Sequence, residues 1–293
     1  MNEVPTILKA RQFLRDARID SAPVDIERLA AAANAKIKVV YDLADDESGQ
    51  TTQIRGKHVI IVNGNHREER QRFTVVHEIA HIVLKLPSQH HQTTLKTDLL
   101  FRYRRRPEEE VLCDVFAAEC LLPYHPFAEQ VADTDICLDA VKSLAEEYKA
   151  SLTTTGSRFA LNAREPCAFV LSEAGSIRYV SRSKYLKELR GWIEFNRPVP
   201  SGSVSHRLIN GNRNTEDYDE IPTDTWFDGG IRNRPLVAEE AVLLPLWDQC
   251  LCLIWFDESA KPPRERLDRD EYDDPLLQEL DGTLPWPSKR RRK

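Results

Sequence analysis

The sequence lacks several features that would assign its class at once, and each absence removes an option. No apolar run approaches the roughly 18 residues needed to cross a bilayer, so no membrane span is expected. The opening stretch MNEVPTILKARQFLRDARID is charged throughout and has no apolar centre of a secretory signal. A cytoplasmic location is the expectation. The six cysteines, Cys113, Cys120, Cys137, Cys167, Cys250 and Cys252, include no CxxC pair, which excludes a zinc ribbon. They read as buried thiols in a reducing compartment. Positive charge is not in excess: the net charge is -6, so the surface as a whole does not advertise nucleic-acid binding. No internal repeat is visible.

What is present is enough to fold. Apolar residues make up 41% of the 293 positions and charged residues 30%, which suits about two packed domains. Residues 4–18 carry apolar positions at helical spacing, and SAPVDIERLAAAAN reads as a loop into a second helix, with Pro23 at an early helical position and Asp25 in the first turn. KIKVVYDL reads as a strand, and QTTQIRGKHVIIVN as two strands around a turn at Gly56-Lys57. A long helix follows over NHREERQRFTVVHEIAHIVLKL, with Asn65 as its N-cap. Residues 88–106 form a polar stretch long enough to suggest a functional loop. PEEEVLCDVFAAECLL predicts another helix, its acidic first turn favoured by the helix dipole. Residues 124–163 look helical. After Pro166, CAFVLSEAGSIRYVS predicts a hairpin at Ala174-Gly175, SKYLKELRGWIEF a helix, and SGSVSHRLI, AVLLPLW and CLCLIWF strands. The charged tail ending KRRRK reads as poorly ordered.

The chemistry concentrates in FTVVHEIAHIVLKL. On a helix, His77 and His81 stand at i and i+4, so both imidazoles leave one face and can reach one ion at about 2.0–2.1 Å. Glu78 then sits where a general base would meet water beside the metal. Val75, Val76, Ile79, Ile82, Val83 and Leu84 make this a buried helix, on which two histidines and a glutamate are costly without partners. The competing reading is a chance match on a partly solvated helix. A metal site needs a third protein ligand, and Glu110, 29 residues beyond His81, is the candidate. Asp114, Ala117 and Leu121 continue its face. Asp114 is placed to accept a ring N–H from a ligand histidine, while Glu108 and Glu109 read as a solvated first turn. Three ligands leave a position for water, and the reaction class is peptide-bond hydrolysis. His90, His91 and Tyr103, in the polar stretch, are candidates for oxyanion or substrate contact. Mn²⁺ or Fe²⁺ would also suit a His/His/Glu site, since selectivity depends on metal availability as well as on ligands.

Together, PVDIERLAAAA, IIVNGNHREERQRFTVVHEIAHIVL and EEEVLCDVFAAECLLP resemble, in order across residues 23–123, the ImmA/IrrE family of zinc-dependent endopeptidases. The resemblance implies an α+β architecture: a zincin-like metallopeptidase domain at 1–125, a small helix-turn-helix-like helical domain at 126–165 and a C-terminal α/β GAF-like sheet domain at 166–258, with a tail at 259–293. It implies a gluzincin-like enzyme with Zn²⁺ on His77, His81 and Glu110, and Glu78 as catalytic residue. It also implies a protein substrate, a helix-turn-helix repressor of the XRE type, whose cleavage derepresses stress or mobile-element genes. The family usually carries alanine-asparagine where this chain has Cys113-Asp114. A non-catalytic regulator that binds a repressor or DNA through the same fold is the alternative. DNA contact through Ser151, Thr153, Thr154, Thr155, Ser157 and Arg158 is the less favoured expectation, because basic residues there are few. Trp192, Trp226, Trp247 and Trp255 could line a ligand pocket but suit a sheet core better.

Overall fold

The computed structural model describes residues 3–87, 107–211 and 214–256. Helix α1 (Val4–Asp16) is followed by α2 (Ile26–Ala32). Asp25 caps α2 from outside, its carboxylate accepting from the Arg28 amide, so the helix starts later than Pro23. An acidic side chain is best used where the first amides lack partners. Strands β1 (Ala35–Val40), β2 (Gly49–Ile54) and β3 (Lys57–Asn63) form a sheet in the order β1-β3-β2, parallel for β1 and β3 and antiparallel for β2 and β3. The turn between β2 and β3 is Arg55-Gly56, one residue earlier than the sequence suggested. Both residues take positive φ, 51° and 78°, as a two-residue hairpin turn requires.

Helix α3 (Glu68–Leu84) follows the sheet and packs on it, and α4 (Glu108–Leu121) packs on α3. Glu68 and Glu69 occupy the first turn of α3, where the dipole favours them. Asn65 is not its cap. Its side chain reaches the Tyr41 carbonyl, and Arg67 precedes the helix without a side-chain cap. Gly49 lets β2 approach α3, since a Cβ there would run into the Ile61 carbonyl and lie 2.7 Å from Thr74 Cγ2. Leu29, Ile60, Val76, Ile79, Phe116 and Ala117 are among the side chains that close this core.

Helices α5 (Tyr124–Ala132), α6 (Leu138–Tyr148) and α7 (Leu152–Asn162) lead into a second, antiparallel sheet of β4 (Cys167–Glu173), β5 (Ser176–Arg182), β6 (Glu216–Pro222), β7 (Leu236–Leu244) and β8 (Gln249–Trp255), in the order β5-β4-β8-β7-β6. Phe127, Tyr148 and Phe159 share one core with Phe169, Leu171, Leu251 and Leu253, so α5–α7 lie against one face of this sheet. The other face is closed by a core containing Leu186, Val204, Leu208, Trp226 and Phe227. Two expectations fail here. SGSVSHRLI is not a strand: α9 (Val204–Asn210) forms, capped by Ser203 Oγ, which accepts from the His206 amide. The helix expected over SKYLKELRGWIEF shrinks to α8 (Lys184–Glu188). Strand β6 lies in a stretch that read only as polar, because it is an exposed edge with little to bury. Among the described residues no helix is long and apolar enough to cross a membrane. The polar stretch at 88–106 and the charged tail lie outside the described residues.

Candidate metal centre

Helix α3 presents His77, Glu78 and His81, buried to within 9%, 6% and 5% of full occlusion. The two Nε2 atoms lie 3.1 Å apart. Facing them on α4, Glu110 places Oε2 3.2 Å from His77 Nε2 and Oε1 3.4 Å from His81 Nε2. A tetrahedral ion with bonds of about 2.0–2.2 Å holds neighbouring donors about 3.3–3.6 Å apart. The three side chains are close to that spacing, so the donor set fits a divalent cation.

The lone pairs are also aimed. Asp114 Oδ1 lies 2.8 Å from His77 Nδ1. A carboxylate only accepts, so Nδ1 donates, and when the ring is neutral its unprotonated Nε2 faces His81 and Glu110. In the metal-free protein, burial alone would lower the His77 pKa. Hydrogen bonds to Asp114 and Glu110, with the charges of Asp114 and Glu78, overcome it and push the value up to about 9. His81 moves the other way, through burial and then the charge on His77. Its Nδ1 is buried and makes no hydrogen bond of standard geometry, although the Leu86 backbone favours its protonation. At Nδ1, therefore, His77 is tied to a carboxylate, whereas His81 has only the Leu86 backbone nearby.

Glu78 Oε2 accepts from Thr51 Oγ1 at 2.7 Å. Thr51 comes from β2, and no short-range pattern links it to a glutamate 27 residues on. A second residue that sequence reasoning did not bring to the site is Cys113. Its Sγ, one ring nitrogen of His77 and one ring nitrogen of His81 all lie within 4.8 Å of one another. The signal was available: Cys113 stands three residues after Glu110 and beside Asp114, on the face that helical spacing turns toward α3. Glu110 and Cys113 thus compete as third donor. Glu110, whose oxygens lie 3.2 Å from His77 Nε2 and 3.4 Å from His81 Nε2, is the better fit.

Glu108 and Glu109 remain in the first turn of α4. His90, His91 and Tyr103 lie outside the described residues. The residues considered for DNA are otherwise engaged. Thr153, Thr155 and Ser157 are buried, Ser151 caps α7, and Arg158 binds Glu119 at 2.9 Å and the Leu122 carbonyl. The four tryptophans have separate partners: Glu239 for Trp226, Arg182 for Trp192, Arg67 for Trp247 and Tyr218 for Trp255.

Residues 32–159 match the sequence model of the IrrE N-terminal-like domain, Peptidase_M78. The chain is similar to two proteins named radiation response metalloprotease IrrE. With that of Deinococcus radiodurans it is 32% identical over 112 residues, 37% of this chain and 32% of the relative. With that of Deinococcus deserti it is 34% identical over 110 residues, 36% of this chain and 37% of the relative. The matched stretch thus spans about a third of each relative's length. In fold, the chain is similar to a Mycobacterium tuberculosis transcriptional regulator, with a TM-score of 0.57 and 14% identity, covering 86% of this chain and 75% of the other.

Proposed function

We propose that this chain, which belongs to the ImmA/IrrE family through residues 32–159, is a cytoplasmic zinc-dependent endopeptidase whose substrate is a helix-turn-helix repressor of the XRE type. The observation that carries the reading is the donor triangle of His77, His81 and Glu110 with Glu78 beside it. Those three side chains would hold Zn²⁺, or Mn²⁺ or Fe²⁺ where these are more available. When bound, such an ion supplies Lewis acidity that polarises a carbonyl and makes a nearby water a stronger acid.

The remaining work falls to the chain. Glu78 takes a proton from the water as its oxygen bonds to the scissile carbonyl carbon, and returns that proton to the amide nitrogen as the C–N bond breaks. Thr51 occupies one Glu78 oxygen and so directs the other at the water. Asp114 holds His77 in the tautomer that keeps Nε2 unprotonated. Strand β2 pairs with β3 and ends the sheet, so its outer edge offers main-chain groups to an extended peptide. His90, His91 and Tyr103 remain candidates for the oxyanion. We read α5–α7 as a helical support and the second sheet as a GAF-like domain. The antiparallel order β5-β4-β8-β7-β6, with helices on both faces, supports that reading.

The test is incubation of the purified chain with the helix-turn-helix repressor encoded beside it, with and without chelator, followed by mass analysis. Chelator-sensitive fragments are expected. A stable complex with no fragments in either arm would favour the non-catalytic regulator instead.

A further inference from the structure

We propose that Cys113 is a fourth protein ligand that closes the metal site in the resting protein. This rests on reading the site as a metal centre. Cys113 is fully buried, with 0% exposure, and its Sγ, one ring nitrogen of His77 and one ring nitrogen of His81 all lie within 4.8 Å of one another. Glu110, Cys113 and Asp114 stand at i, i+3 and i+4 on α4, so one helical face carries a ligand, the thiol and the residue that orients His77. A zinc–sulfur bond of about 2.3 Å beside zinc–nitrogen bonds of about 2.0–2.1 Å sets sulfur and nitrogen about 3.6 Å apart. The thiol lies in the same cluster as both rings, and a side-chain rotation is the movement that would bring it to that spacing.

The chemistry agrees. A thiolate is a good zinc ligand, and a coordinating thiol gives up its proton. Here the S–H proton goes to solvent as the sulfur–metal bond forms. When water or a substrate carbonyl takes that position, the bond breaks and sulfur regains a proton. Four protein ligands make a closed site of the structural kind, whereas a catalytic site keeps one position open. The thiolate would thus hold the centre latent until substrate displaces it. Cys120 is buried on the same helix but is not part of the cluster, and so serves as an internal control.

Cobalt(II) titrated into the full metal-free chain tests this by absorption spectroscopy. The expected result is visible ligand-field bands together with a near-ultraviolet sulfur-to-cobalt charge-transfer band. Cys113→Ala and Cys113→Ser should each keep the ligand-field bands, lose the charge-transfer band and bind cobalt at least about tenfold more weakly, since even an outer partner of a ligand is worth roughly 10–100-fold. Cys120→Ala should keep both features. Ligand-field bands without charge transfer in the parent protein, or a charge-transfer band that survives in both Cys113 variants, would overturn the proposal and leave the three-ligand site intact. Failure of the chain to take up cobalt at all would overturn both readings.

Discussion

Two of the places where the molecule buries carboxylates do it in opposite ways. In the second sheet, Glu239 is fully occluded and its oxygens accept from the amides of Val204 and Ser205, the Ser205 hydroxyl and the Trp226 indole, all within 3.0 Å. Each of those donors is neutral and fixed, and together they saturate the carboxylate. Between α3 and α4, the carboxylates of Asp114 and Glu110 face imidazoles instead. An imidazole nitrogen can carry a proton, lose it, or give its lone pair to a cation. The first arrangement ties α9 to β7. The second leaves a choice of protonation and ligation open, which a reactive centre needs.

The comparison breaks most sharply on function. Glu78→Gln should lower peptide cleavage by about 10²–10⁴-fold, the usual contribution of a positioned base, while metal content stays unchanged. Cleavage and elemental analysis of one preparation measure both. Loss of metal in that variant would mean that Glu78 belongs to the ligand set and not to the proton relay. Glu239→Ala should do the reverse. It strands four buried donors, and unfolding stability should fall by on the order of 3–5 kcal/mol, with metal affinity unaffected. Denaturant midpoints at constant slope report the loss, and a change under 1 kcal/mol would show that water replaces the carboxylate there.

A smaller effect separates the two kinds of carboxylate within the site. Asp114→Ala should weaken metal binding by roughly 10–100-fold, the cost of losing the partner that orients a ligand histidine. Competition against a chromophoric chelator measures it. Unchanged affinity would assign Asp114 to helix packing alone.

What could be read from residue order follows the range of the interaction. His77, Glu78 and His81 are legible because one helical turn fixes their geometry. Glu110 and Asp114 are legible because apolar positions continue their face along α4. Thr51 is not, since its approach to Glu78 depends on how β2 packs on α3 and on the Gly49 side that permits it. Long range also explains the misread α9. The alternation in SGSVSHRLI suits a strand, yet Glu239, 35 residues beyond Val204, accepts the first amides of a helix there. The polar edge β6 has no apolar alternation to announce it, and its partner β7 supplies the pairing.

The mildest test uses the proton that the metal must displace. His77 is raised above its usual 6.5 to about 9 in the metal-free protein. Its protonated form therefore stabilises the metal-free fold fully below pH 6.5, and that contribution fades as pH rises through about 9. Metal binding needs the ring neutral, so the dependence has the opposite sign. In the Cys113→Ala variant, where no thiol proton is released, apparent affinity should rise about tenfold for each pH unit between roughly 6.5 and 9, and level off above. His81, shifted downward by burial and by its charged neighbour, adds no second proton in that window. Chelator competition at pH 7 and pH 8, corrected for the chelator's own protonation, gives the slope directly. A flat profile would place the proton elsewhere and remove the distinction between a carboxylate saturated by fixed donors and one that shares its histidine with a cation.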